Sequence, residues 1–103
     1  MKKAVFFLLT VFIAACGSAK FATPKQGDVK RGAAKFPDIT LAELQNGHML
    51  FTQNCGKCHD LKPPKSKTEA QWRVIMPKMA KKAKIDATAE DAILKYVVTM
   101  GSR

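Results

Sequence analysis

The stretch QNCGKCHDL, residues 53–61, holds two of the chain's three cysteines, Cys55 and Cys58, with His59 directly behind the second. Residues three apart on a helical turn share a face, with Cβ atoms about 5–6 Å apart. A thiol pair at that spacing serves a redox disulfide, half of a zinc site, or two covalent tethers for a haem. Its use depends on the scaffold on either side.

That scaffold reads as helices. Thr40 to Glu43 (TLAE) forms a capping box in which hydroxyl and carboxylate satisfy end amides of a helix running to about residue 53. Leu41, Leu44, Leu50 and Phe51 are its candidate core positions. Gly47 lies inside it, where glycine is costly, so close packing against another helix is the expected compensation. Thr68 to Gln71 repeats the capping pattern and opens a second helix carrying Trp72, Ile75 and Met76. Asp86 caps a third, in which Ala89, Ile93, Tyr96, Val97 and Met100 form the buried side and Gly101 ends the run. No segment alternates as a strand does, so the expected class is all-α.

The N-terminus carries a different signal. Met1, Lys2 and Lys3 precede AVFFLLTVFIAAC, an apolar run ending at Cys16 and too short to span a bilayer as a mature helix. A charged start, an apolar centre and small residues before a cut describe an export signal over residues 1–15. The box Ile13-Ala14-Ala15-Cys16 resembles the bacterial lipoprotein signal, which implies an acylated Cys16 as the first mature residue. Cleavage would leave 88 residues, enough for one small domain. Residues 17–37 show no sustained period and are rich in Gly, Ala, Lys and Pro, so 16–37 is expected to be a lipid-anchored tether, with Phe36 and Pro37 positioned to dock as a strap. The domain proper is expected over 38–103.

These surroundings sort the three chemistries. A closed zinc site needs four strong ligands, and beyond Cys55, Cys58 and His59 the chain offers only His48 and the lipid-bearing Cys16. A thioredoxin-like pair needs a βαβ scaffold, which is absent from the pattern. Cys-x-x-Cys-His is the attachment signature of haem c: two thiols reach neighbouring vinyl groups and the next residue's imidazole swings beneath the iron. One covalent haem is the expected cofactor.

On these residues the chain resembles the small monohaem class I cytochromes c, close to their bacterial lipoprotein members. The resemblance covers roughly residues 36–100: Gly47 and Phe51, CGKCH, Leu61 with Pro63 and Pro64, Trp72 followed by Met79, and AILKYV in the last helix. It implies three to four helices around one haem, the first and last crossing at Gly47 and Phe51 against Tyr96. It also implies a proline carbonyl that accepts the His59 Nδ1 hydrogen and makes the ligand more basic, Pro64 fitting best and Pro63 next. Trp72 is expected on the haem wall with its indole N–H free for a propionate.

The sixth iron ligand sets the chemistry, because a thioether there favours electron transfer over substrate binding. Trp72, Met76 and Met79 fall at i, i+4 and i+7, one helical face. Family spacing selects Met79, with Met76 as runner-up. Pro77 between them would kink the helix or start a fresh turn that aims Met79. His48, on the first helix, is expected at an edge.

Charge bears on partners. Without Lys2 and Lys3 the chain has sixteen basic and eight acidic side chains, and residues 57–84 hold nine of the basic ones against Asp60 and Glu69. That surface suits an acidic redox partner, or simply keeps a small domain solvated. In an exported lipoprotein a nucleic acid is a poor partner despite the basic balance. The expected function is therefore an electron carrier, not an enzyme, lipid-anchored in the bacterial cell envelope and facing the periplasm. A haem enzyme or ligand sensor with an open sixth site, peroxidase-like, is the alternative. A dedicated haem subunit of a larger respiratory enzyme is compatible with the same residues.

Overall fold

Three of the four helix starts are written into side chains within four residues of each other. Thr40 Oγ1 accepts the Glu43 N–H at 3.1 Å while Glu43 Oε1 accepts the Thr40 N–H at 3.3 Å. Thr68 and Gln71 exchange the same pair of bonds at 3.1 and 2.8 Å, and Asp86 Oδ1 accepts the Ala89 N–H at 2.8 Å. Each cap satisfies amides that a helix leaves without internal partners. In the computed structural model, which describes residues 21–55 and 61–102, these caps open α2 (Leu41–Asn54), α3 (Glu69–Ala83) and α4 (Ala87–Gly101). A shorter α1 (Gln26–Gly32) precedes them, and a 3₁₀ turn at Pro64–Ser66 lies between α2 and α3. The described residues contain four α-helices and no strand, so the all-α expectation holds for them.

Helices α2 and α4 form the main contact of the fold, and Gly47 makes it possible. A Cβ at Gly47 would fall inside the carbonyl oxygen of Ala92 and 2.8 Å from the Tyr96 Cβ. Losing that one atom lets two backbones touch, which offsets the cost of glycine within a helix. Phe51 sits at the same crossing, its ring 5.7 Å from Tyr96 and 6.0 Å from Trp72, the latter edge-on. Leu44, Phe51, Ile93, Tyr96 and Val97 are buried as expected, whereas Leu41, Leu50 and Ala89 are half-buried.

Two expectations need correction. The first concerns the tether. Within 16–37, the described residues from Phe21 onward are not an unstructured spacer: they include α1, and Phe21, Ala22 and Phe36 pack against the core. This second layer covers Thr99, on a side of α4 that the sequence pattern left out. Gly32 allows the approach, since a Cβ there would lie 2.7 Å from Thr99 Oγ1.

The second correction concerns Pro77. α3 runs unbroken from Glu69 to Ala83 with Pro77 on its exposed side, and no fresh turn begins there. The ring removes the bond to the Arg73 carbonyl, but on the wet face water can replace it. α3 ends instead at Lys84, in the left-handed region with φ 58°, and the Ile85 N–H closes onto the Ala80 carbonyl at 3.1 Å. That is a Schellman-type stop made without glycine.

No helix among the described residues is long and apolar enough to cross a membrane. The expected signal over 1–15, the acylated Cys16, and Cys58 with His59 all lie outside the described residues.

Candidate functional site

The cleft of interest opens where α2 ends. Cys55 follows the last residue of α2, its N–H bonded to the Phe51 carbonyl, so the helix itself carries the first motif cysteine to the cleft wall. Phe51 lines the same wall one turn earlier, and Leu61, Lys62 and Lys67 contribute from the connection. The facing wall is one stripe of α3: Trp72, Ile75, Met76 and Met79, at i, i+3, i+4 and i+7. Helical spacing alone puts these four on one face. The cleft encloses about 260 Å³ and opens to solvent on one side, slightly smaller than the usual small-molecule or cofactor site of about 300–1,000 Å³.

The two methionines occupy it differently. Met76 is 2% exposed and belongs to the hydrophobic core with Phe51, Trp72 and Ile93. Met79 is half-buried, lines the cleft and lies outside that core cluster. The other candidates are elsewhere. His48 Nε2 bonds the Phe21 carbonyl at 2.8 Å with its ring 5.1 Å from Tyr96, so it is an edge residue on another side of α2. Met49 is exposed, and buried Met100 lies beside Arg31.

Trp72 lines the cleft, but its indole N–H is not free. It donates to the Pro64 carbonyl at 2.9 Å, which corrects the expectation of an N–H available to an acid group. Gly101 closes over the same carbonyl, since a Cβ there would meet the Pro64 oxygen at 2.8 Å. Pro63 is engaged more fully: its carbonyl accepts both the N–H and the hydroxyl of Ser66, at 2.9 and 2.6 Å. A carbonyl oxygen has two lone pairs, and among the described residues Pro64 accepts one hydrogen bond where Pro63 accepts two.

The donor set indicates what the cleft can hold. The described walls offer one thiol and two thioethers amid apolar carbon, with Lys62 and Lys67 as the charged groups. Soft sulfur donors in a dry pocket suit a haem iron or another soft metal better than a hard cation. Among the described residues no three of His, Cys, Asp and Glu converge to hold a metal ion. Sequence spacing found Cys55, Trp72, Met76 and Met79; the cleft roles of Ile75 and Lys67 were missed, although Ile75 sits one turn from Trp72 on the stripe already recognised. No family model, curated protein or solved structure matches this chain.

Proposed function

We propose that this chain is a monohaem c-type cytochrome with a class I arrangement of helices, passing electrons between redox partners at the outer face of a bacterial membrane. The observation that carries the proposal is the convergence of Cys55, from the Cys-x-x-Cys-His motif, with Met76 and Met79 on the walls of one apolar cleft. Cys55 and Cys58 would tether the haem, and His59 and Met79 would ligate its iron. When bound, the haem supplies a site that takes up and gives back one electron.

The chain's own residues would do the rest. Trp72, Phe51, Leu61 and Ile75 exclude water from the cleft, keeping the ligand sulfur in a medium of low polarity. Pro64, which accepts from Trp72, would also accept the His59 Nδ1–H, orienting the ring and raising its basicity. Lys62 and Lys67 at the cleft, with the exposed lysines of α3, favour encounter with an acidic partner. The cleft's described walls carry no carboxylate or imidazole to serve as a general acid or base, which favours a carrier over a peroxidase-like enzyme.

The test is haem retention. Two thioether bonds should hold haem on the polypeptide through acid–acetone extraction, and His59→Ala should prevent formation of a low-spin holoprotein. Extractable haem, or bound zinc with free thiols, would overturn the proposal.

A further inference from the structure

We propose that residues 21–36 are a clamp belonging to the domain, which shortens its leash to the lipid bilayer and holds the domain close to the membrane surface. This rests on the reading of Cys16 as the acylated residue. The clamp is fastened along its length. Phe21 packs 6.3 Å from the Phe51 ring, and its carbonyl accepts from His48 Nε2 at 2.8 Å. The Tyr96 hydroxyl donates to the Ala22 carbonyl at 3.3 Å, and Pro24 is fully buried.

Farther along, Asp28 is 3% exposed, a costly place for a carboxylate unless it is paired and hydrogen-bonded. It accepts from the Lys25 N–H at 2.8 Å and from Arg31 Nη2 at 2.7 Å. Arg31 then reaches across to the Thr99 carbonyl and the Ser102 hydroxyl, both at 3.3 Å. Lys35 pairs with Glu69 on α3, and the Arg73 guanidinium lies over the Phe36 ring at 5.9 Å. A flexible spacer would bury neither a carboxylate nor a proline.

Chain length turns this into a functional constraint. An extended chain spans at most about 3.6 Å per residue. Had the tether run to Asp38, the 22 steps from Cys16 would reach about 80 Å. With the clamp closed, five steps remain from Cys16 to Phe21, reaching about 18 Å. The domain cannot then sweep outward to a distant soluble partner. Phe21, the first described residue, packs against Phe51, which lines the cleft.

The full acylated chain reconstituted into phospholipid vesicles provides the test. Tryptic cleavage after Lys25, Lys30, Arg31 and Lys35 should be at least about tenfold slower than in a free peptide of residues 21–36. Phe21→Ser combined with Asp28→Ala should open those four bonds and leave the haem spectrum unchanged. On a supported bilayer, neutron reflectometry should find the domain within about 18 Å of the headgroups, and twenty Gly/Ser residues inserted before Phe21 should widen that gap. Cleavage of the parent at the peptide's rate, or a wide gap in the parent, overturns the clamp. An N-terminal peptide without acyl chains overturns the anchor and the distance together. The proteolysis, mass and reflectometry readouts do not depend on haem retention, so failure here is distinguishable from failure of the cytochrome reading.

Discussion

Met76 and Met79 differ in what their removal would expose. Met79 is half-buried at the cleft, so Met79→Ala should abolish the near-infrared band of a ferric iron–thioether bond and admit small ligands such as cyanide. Met76 is 2% exposed in the core, so Met76→Ala should keep the band and lower stability by about 2–5 kcal/mol in urea titration. Exchanged results would make Met76 the ligand. Wild-type protein that already binds cyanide or peroxide rapidly, with neither variant altering the spectrum, would favour the open-site reading. Gly47 supplies a test of packing without any cofactor. Its missing Cβ would meet backbone oxygen of Ala92, which has little freedom to move, so Gly47→Ala should lower stability by about 1–3 kcal/mol or more, measured by urea unfolding.

Glu69 joins two elements, α3 and the segment that follows α1. Hydrogen bonds from Lys35, and then from Arg73, hold its carboxyl below the ordinary value of 4.5. A carboxylate with a lowered folded pKa contributes stability above its unfolded value and loses it as pH falls through the folded one. Acid should therefore release the Lys35 bridge below about pH 4.5, weakening the hold of the clamp on α3. The side chain is 31% exposed, and pairs of this kind contribute about 1 kcal/mol or less. Amide hydrogen exchange at residues 32–36, measured at each pH from 7 downward and corrected for its intrinsic pH dependence, should rise in the parent below about pH 4.5. Glu69→Gln should start at the higher rate and lose this dependence. An identical acid response in both proteins would place the titrating group elsewhere.

The assembled protein is a two-layer object: α2 and α3 wall the cleft, α4 packs against both, and the 21–36 segment covers a further side of α4. Residues 96–100 of α4 are all buried, which a helix with one covered face cannot achieve. A chain beginning at Asp38 would uncover Thr99 and lose the seats of Phe21 and Phe36. Each buried aromatic or aliphatic side chain contributes about 1.5–3 kcal/mol, so such a chain should be less stable than one beginning at Phe21 by about 2–5 kcal/mol. Paired thermal and urea unfolding checks this. Equal stability would mean that the outer layer adds nothing to the domain.

Much of this architecture can be read locally. The three capped helix starts need only residues three apart, at Thr40, Thr68 and Asp86, and the α3 face of Trp72, Ile75, Met76 and Met79 needs only the helical period. Cys55 could be placed beside the cleft for the same reason, because it immediately follows a helix whose end is set by its own sequence. The rest depends on partners far away in the chain. α1 has seven residues with Val29 as its one aliphatic side chain, too little for a periodic signal, and its Arg31 finds the Thr99 carbonyl 68 residues later. Lys84 in the left-handed region carries no glycine to announce the stop, and Ile85 packs against the core beyond it. The Trp72 indole takes the Pro64 carbonyl because the 3₁₀ turn folds back beneath α3, where a buried N–H must find an acceptor. Periodicity and capping act within one or two turns, so they specify elements. Closure of the clamp and of the cleft is a gain of contacts between elements, present only once α2 and α4 have crossed at Gly47.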